Sequence, residues 1–445
     1  MPAHSTGAPG TGAPRTVEPG TREPGTIGPG TIEPTEESVA AWLQVNWSPD
    51  ITLREWWSRL AGSGLGFPAW PEELGGRGWD RGSLRAVSKA FGAAGAVGAP
   101  TGLGTLMGGP VVLQFGTEEQ QARLLPPLVN GTEGWCQLFS EPGAGSDLAS
   151  VSTRAERDGD EWTVNGQKVW TSGSTHSARG MLVARTDLDA PKHRGLSYFI
   201  INMQQPGIEI RPIKQMNGQA HFSEVFFTDA RVADADRISA VNNGWAVTVA
   251  TLGFERSGLS AVDGAPGIRP PAGELAGFLD RTVGDVIASA RQARTLPEDT
   301  GGTYAMLKRL SDQFDRSADP MVRQHLVRRY THERISGFMQ QRAAANAKAG
   351  RAAGPEASLA KLFWTQGLQQ GRDTGTAILG THGMVDGSDS ASGGLVQKFA
   401  LTIPSARIAG GSDEIQRNII GERVLGLPKD IVVDADTPFR QLKKS

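Results

Sequence analysis

Cysteine is almost missing from this chain of 445 residues: Cys136 stands alone. That excludes an internal disulfide and any metal site built from several thiolates, and it suits a reducing cytoplasm, the expected location. Charge of one sign is also missing. The 45 Lys+Arg balance 47 Asp+Glu to a formal net charge of -2, so neither a nucleic acid nor an anionic membrane is expected as a partner. No apolar run approaches the ~18–20 residues that span a bilayer. The opening MPAHSTGAPG lacks the basic stretch and apolar run of a signal peptide. Tyrosine is scarce at 3, but 11 Trp and 15 Phe leave enough bulk for cores. Several motifs are absent as well. Without G-x-G-x-x-G, a Rossmann NAD or FAD site is not expected. Without Walker A, H-E-x-x-H or G-x-S-x-G, metal hydrolysis and serine nucleophile chemistry lose their usual scaffolds. The 7 histidines are scattered, with no pair at ligand spacing, so no metal is expected.

Glycine is abundant, at 58 residues. Part of the excess lies in residues 7–35, which repeat with period five: GAPGT, GAPRT, VEPGT, REPGT, IGPGT, IEPT. Proline and glycine in nearly every unit oppose helix and sheet, so residues 1–37 read as a disordered tail. Residues 38–133 read as a helical domain. Val39, Trp42, Leu43 and Trp47, then Leu53, Trp56, Trp57 and Leu60, recur at helical spacing. A Pro/Gly-rich loop covers 64–79, a helix follows from Ser83 to Ala96, and Thr117 with Gln120 forms a capping box. Residues 134–240 change to short alternating strands, a small barrel or sandwich. Strands are expected at 136–140, 162–164, 167–170, 180–184, 196–201, 207–210 and 224–227, with Asn165-Gly166 as a hairpin turn. Helices return over 241–435: first from Gly244, with an imperfect apolar stripe of Trp245, Val249, Leu252, Phe254 and Leu259 that residues 262–274 break, then at 275–294, 303–316, 320–348, 355–380 and 412–425. Ile335, Phe338 and Met339 form an i, i+3, i+4 apolar set. Residues 436–445 read as a second tail. The fold class is α+β: a helical domain, a small β domain and a helical bundle.

Three segments are specific enough to carry a resemblance: FSEPGAGSD at 139–147, NGQKVWTSG at 165–173 and IAGGSDEIQRNIIGER at 408–423. In order and spacing the chain resembles the acyl-CoA dehydrogenase family over residues 38–435, and its C-terminal phrase resembles a bacterial, actinobacterial-type branch. The resemblance implies FAD held between the β domain and the C-terminal bundle, an acyl-CoA substrate, a role in lipid metabolism and fatty-acid β-oxidation, and an electron-transfer flavoprotein as acceptor. It also implies a homotetramer or dimer, with a hetero-oligomer as the alternative.

The resemblance assigns residues as follows. Leu138, Phe139 and Ser140 border the flavin ring, although a buried strand would use the same types. Gly145 and Ser146 meet cofactor phosphate or CoA, where glycine lets main chain approach a ligand closely; a plain turn ending at Asp147 is the other reading. Trp170 forms a flat wall beside the ring, with Thr171 and Ser172 hydrogen-bonding nearby. Ser412 and Glu414 open the last helix, where free N–H groups favour an anion; Glu414 also reads as a simple first-turn acid. Gly380 and Gly383 stand where the family holds the pyrophosphate of a neighbouring subunit's FAD. Thr381 and His382 depart from the usual form there, and the family's R-x-F-G segment is missing, with Arg316 or Arg323 as substitutes.

Dehydrogenation between Cα and Cβ needs a base for a weakly acidic α proton and a group that holds the developing enolate oxygen. The family's usual glutamate position is occupied here by Gly410. In isovaleryl- and long-chain-type branches the base sits on an earlier helix before an arginine, and Glu255-Arg256 in LGFER matches that pattern. Glu255 is therefore the expected base, Arg256 a CoA contact or a support for Glu255, and Gly410 a main-chain contact to the thioester. Two alternatives stand beside the dehydrogenase: an FAD-binding or structural subunit of a hetero-oligomer with little activity alone, and a flavin oxidase or monooxygenase on the same fold.

Overall fold

The computed structural model describes residues 32–442 apart from 81–82, 262–269, 274–276, 295–301, 350, 352–353, 386, 388 and 430–434. Five helices come first: α1 (Glu36–Asn46), α2 (Leu53–Ser63), α3 (Leu84–Ala94), α4 (Gly109–Phe115) and α5 (Glu118–Val129). The tryptophan-rich pattern of α1 and α2 is a core pattern. Trp56 and Trp57 are fully buried, and their indole N–H groups donate to Val97 O (2.8 Å) and Gly98 O (3.0 Å), so burial leaves no donor unsatisfied. Ile32 is buried against the same cluster and Thr35 caps α1. Packed chain thus begins inside the stretch expected as tail. The capping box at Thr117 and Gln120 forms as expected.

Eight strands follow: β1 (Trp135–Leu138), β2 (Arg154–Asp158), β3 (Glu161–Ser172), β4 (Arg179–Arg185), β5 (Leu196–Asn202), β6 (Ile208–Ile213), β7 (Phe222–Ala233) and β8 (Arg237–Ile238). Their order is β6-β7-β3-β2-β4-β5-β8, with β1 parallel to β4. The centre of this sheet is buried on both faces. In β4 and β5, Met181, Val183, Tyr198 and Ile200 face the helices, while Leu182, Ala184, Phe199 and Ile201 face the β domain's own interior. Double burial explains their near-continuous apolar runs.

The Asn165-Gly166 hairpin is corrected. β3 runs through this pair as one strand, because both its edges are taken, by β2 and by β7. Asn165 instead exchanges hydrogen bonds with Asp229 across to β7 (2.9 Å each). Gly166 sits at a bulge with φ +150°, where a Cβ would lie 2.7 Å from Thr153 Cα. The real hairpin joins β2 to β3 through Gly159-Asp160, with Asp158 opposite Glu161.

The second helical region contains α6 (Gly244–Ala261), α7 (Val283–Arg294), α8 (Tyr304–Gln313), α9 (Pro320–Lys348), α10 (Glu356–Leu379), α11 (Leu395–Ile408) and α12 (Asp413–Ile419), which continues as a wider turn to Val424. Two helices were not legible. Residues 104–115 are rich in glycine, yet they form a wide turn (Gly104–Gly108) and α4. A Cβ at Gly109 would lie 2.4 Å from the Trp70 ring, so packing demands the glycine that argues against helix. α11 contains Pro404 and buries little beyond Val396 and Ile403. The helix expected from 275 begins only at Val283, after Gly277 in the left-handed region. The Ile335–Phe338 stripe on α9 is not core: these side chains are 42% and 56% exposed. Residues 436–442, expected as tail, pack back onto the β domain. No helix among the described residues is long and apolar enough to cross a membrane.

Candidate active site

β1 and β3 bring the first two motifs together. Val169 N–H donates to Ser140 O (2.9 Å), and the Lys168 ammonium donates to Phe139 O (2.9 Å) and to Glu141 Oε1 (2.8 Å). Leu138 and Phe139 turn their side chains into the two cores, with Phe139 edge-on to Tyr198 at 6.0 Å. What this stretch offers a ligand is main chain and the half-buried Ser140.

Lys168 is fully buried, and no reading of the motif singled it out. Glu141 answers it, and accepts further bonds from Ser152 N, Ser152 Oγ and Thr153 N (2.7–2.9 Å). Burial alone pushes the Glu141 carboxyl up. The ammonium and these donors outweigh that and hold it down at about 2. Burial lowers Lys168, and Glu141 opposes the shift. The signal was parity: Trp162, Val164 and Lys168 are buried even-numbered positions of β3, and Glu141 is the acid nearest the end of β1.

A second bulge, between Lys168 and Thr171, puts Trp170 in the left-handed region at φ +62°. A bulky residue held there is strained by about 1–2 kcal/mol. Its ring consequently stands outside the sheet, 58% exposed, edge-on to Phe222 at 5.9 Å. Thr171 beside it is fully buried, and its Oγ1 has no hydrogen-bond partner among the described residues; the Ser174 hydroxyl is in the same state. Ser172, half-buried, pairs with Phe222 at the end of the strand. Orphaned buried hydroxyls are rare and mark a missing partner.

The turn after β1 closes through reciprocal main-chain bonds between Glu141 and Ala144 (3.0 Å). It leaves Gly145 and Ser146 exposed. A Cβ at Gly143 or Gly145 would meet nothing within 4 Å, so the chain's own packing does not require glycine here. An outward indole, an unpartnered hydroxyl and an open glycine turn fit a flat heteroaromatic cofactor with phosphates.

Glu255 is half-buried on α6, a helix that packs on the Gly104–Gly108 turn and α4. Its neighbours Leu252 and Phe254 join the core that includes Leu103 and Leu106. Arg256 lies on the same helix, and its side chain falls outside the described residues. Ser412 caps α12, its hydroxyl accepting from Ile415 N. Glu414, largely exposed, lines a cleft of about 210 Å3 with Arg372, Arg407 and Ser412. The preceding Gly410 and Gly411 are both left-handed, and their carbonyls accept from Gln416 Nε2 (2.9 and 3.2 Å). Asp413 is buried behind this turn, accepting from Thr365 Oγ1 (2.9 Å) and Arg407 Nε (2.7 Å), while Lys361 Nζ reaches Gly411 O (2.7 Å).

Gly380 and Gly383 form a turn at the far end of α10. Lys361 anchors the Gly410–Ser412 turn near the start of that helix. Nineteen residues separate Lys361 from Gly380, about 28 Å at ~1.5 Å per residue. Of the two arginines weighed for the missing segment, Arg316 lies at the Gly380 turn, 3.9 Å from where a Cβ would stand.

The chain matches the acyl-CoA dehydrogenase N-terminal domain over residues 33–132, the middle domain over 136–230 and the C-terminal domain over 304–425. It is 40% identical to the acyl-CoA dehydrogenase IpdE1 of Mycobacterium tuberculosis over 381 residues, 85% of this chain and 88% of that one. It is 34% identical to the acyl-CoA dehydrogenase FadE34 of the same organism, over 83% of this chain and 46% of that protein. Among solved structures it is similar to the steroid ACAD Tcur3481-Tcur3483 (TM-score 0.62, 26% identity, 89% of this chain and 97% of that one). It is also similar to the ChsE4-ChsE5 complex of M. tuberculosis (TM-score 0.60, 28% identity, 85% and 90%). Three domains in register and a relative this similar along most of its length place the chain, with its helical–β–helical plan, in the acyl-CoA dehydrogenase family of oxidoreductases.

Proposed function

We propose that this chain is an FAD-dependent acyl-CoA dehydrogenase that converts an acyl-CoA thioester to a trans-2-enoyl-CoA. The observation that carries the cofactor is the strained, outward Trp170 beside the buried, unpartnered Thr171 hydroxyl. Trp170, Thr171 and Ser172 would hold the ring system, with the main chain of Leu138, Phe139 and Ser140 along its edge. Gly145 and Ser146 would take phosphate, and Ser146 also the CoA. Ser412 and Glu414 support the cofactor from the C-terminal bundle.

In the reaction one Cα–H and one Cβ–H bond break and a C=C bond forms. Glu255 removes the α proton, from a helix position whose neighbours Leu252 and Phe254 belong to the apolar core. Main chain at Gly410 supports the thioester oxygen, and Arg256 the CoA. When bound, the flavin supplies the acceptor for the hydride leaving Cβ, and an electron-transfer flavoprotein would reoxidise it.

The turn at Gly380–Gly383, with Arg316, is about 28 Å along α10 from the Gly410–Ser412 turn. One chain cannot bring both to one cofactor through that helix, so Gly380 and Gly383 would serve the FAD of a neighbouring subunit. Exposed Val327, Tyr330, Ile335 and Phe338 on α9 and Trp364 on α10 support an oligomer built through the bundle. A hetero-oligomer is favoured over a homomer by the similarity to a protein solved as the ChsE4-ChsE5 complex. A fused-ring acyl group is the favoured substrate class, on the similarity to the protein titled a steroid ACAD.

The test is an anaerobic absorbance titration of the purified protein with straight-chain, branched and steroid acyl-CoAs. Bleaching of an oxidised-flavin band by one of them is the expected result. Glu255→Gln should keep the flavin and lose bleaching by about 10²–10⁴-fold in rate. Full bleaching in that variant removes Glu255 as base, and a protein that binds no flavin removes the reading altogether.

A further inference from the structure

Residues 436–442 form a strap across the β domain. Pro438 pairs with Pro191, Phe439 N–H donates to Ala190 O (3.0 Å), and Arg440 N–H donates to Leu188 O (3.1 Å). Two ion pairs flank these contacts, Arg194 with Asp436 and Arg440 with Asp189. The strap therefore fastens the 187–194 loop between β4 and β5.

Under the strap lies Arg185, almost fully buried. Its guanidinium donates to Ala149 O (2.5 Å), Val151 O (3.1 Å) and Lys192 O (2.7 Å). These carbonyls belong to two separate segments, one following the Gly145–Asp147 turn and one within the loop. The Phe439 ring covers the guanidinium at 3.8 Å, closing its open side with the negative face of the ring. Burial holds Arg185 down at about 10 against the pull of Glu141 and Asp187.

The loop reaches the candidate site in two directions. Lys192 Nζ donates to Asp147 Oδ2 (2.8 Å), next to Ser146, and His193 packs edge-on against Trp245 of α6 at 4.9 Å. Lys192 and His193 thereby bring cationic and polar groups to Asp147 of the glycine turn, where the nucleotide end of a CoA would lie. The loop that carries them is fixed by the strap directly, through Arg194 and Asp436, and through Arg185, which holds Lys192 O.

We propose that the C-terminal strap 436–442 is a positioning element for the nucleotide of acyl-CoA, with Phe439 acting through Arg185 on the 187–194 loop and the Gly145–Asp147 turn. The proposal rests on the acyl-CoA reading of that turn. Phe439 touches neither substrate nor cofactor: its work is to keep the buried guanidinium from water, so that one arginine holds two segments in register.

The experiment compares Phe439→Ala, Phe439→Trp and the parent protein on an acyl-CoA and on the matching acyl-pantetheine, which lacks the nucleotide. Loss of a shielded cation–ring contact predicts a rise of about tenfold in KM for acyl-CoA in Phe439→Ala. Its kcat, flavin content and kinetics with acyl-pantetheine should stay within about twofold of the parent, and Phe439→Trp should restore the KM. Calorimetry with free CoA gives a readout independent of turnover and should show the same weakening. Equal KM values for parent and Phe439→Ala, or equal losses on both thioesters, overturn the positioning role. If Phe439→Ala fails to fold, Arg440→Ala loosens the strap without uncovering Arg185 and should raise KM for acyl-CoA alone. A parent protein that binds no CoA refutes the acyl-CoA reading itself, and is told apart by that calorimetric blank.

Discussion

Removing the Lys168 ammonium tests the electrostatic design of the candidate site most directly. Lys168→Met keeps length and apolar stem but leaves Glu141 buried without its cation. Breaking a buried pair in this way costs about 3–5 kcal/mol, because the remaining charge stays desolvated. A related figure concerns Glu141 and all its partners together. Its carboxyl is held from the ordinary 4.5 down to about 2 by Lys168, Ser152 and Thr153 against the push of burial, and that gap at ~1.36 kcal/mol per pH unit is worth about 3 kcal/mol. Since the folded pKa is the depressed one, this stability is present above pH ~4.5 and is lost as pH falls towards ~2. Burial of Lys168 acts in the opposite sense and offsets part of the gain. The pair's net contribution is therefore smaller than the cost of breaking it. The double variant Glu141→Gln/Lys168→Met should recover at least half of the loss. Denaturant unfolding of the parent, both single variants and the double variant, repeated from pH 7 to pH 3, measures all of this. In Lys168→Met the acid-sensitive limb should also move to higher pH, because the carboxyl has lost its cation. A loss below about 1 kcal/mol in Lys168→Met, with no recovery in the double variant, would refute the reasoning.

Trp170→Gly should relieve the left-handed strain at φ +62° while removing the flat wall. Apoprotein stability should change by less than about 1 kcal/mol, whereas flavin retention on dialysis falls at least about tenfold; unchanged retention would detach Trp170 from the cofactor. Gly166→Ala places a Cβ 2.7 Å from Thr153 Cα at a positive φ, and should destabilise the β domain by more than about 2 kcal/mol in thermal unfolding. Asp413→Asn removes the carboxylate charge and one of the two oxygens that accept from Thr365 Oγ1 and Arg407 Nε. It should cost about 3 kcal/mol in denaturant unfolding at pH 7. Asp413 is held below the usual carboxylate range, so the difference should shrink as the pH is lowered through that range.

The alternation of helical and strand periods, the capping box at Thr117, the tryptophan core of α1 and α2, and the three motifs that mark the family are all legible in the chain alone. Each depends on residues close together in the chain, where side-chain spacing and cap chemistry act directly. The pairing of Glu255 with the small residue at Gly410 comes from the family resemblance, and the Glu255→Gln titration tests it. Contacts between distant segments settle the rest. Asn165-Gly166 has the local chemistry of a turn, but neighbours on both edges of β3 make it strand and bulge. Gly104, Gly108 and Gly109 read as helix breakers until Trp135 and Trp70 are seen to need the space beside them. The apolar stripe of α9 is genuine, yet Ile335 and Phe338 stay exposed, because helical spacing marks an apolar face without saying what packs against it. Lys168 with Glu141, and Phe439 with Arg185, join residues 27 and 254 positions apart. A buried charge has no periodicity to betray it, and its partner is chosen by how the strands and the returning C-terminus pack.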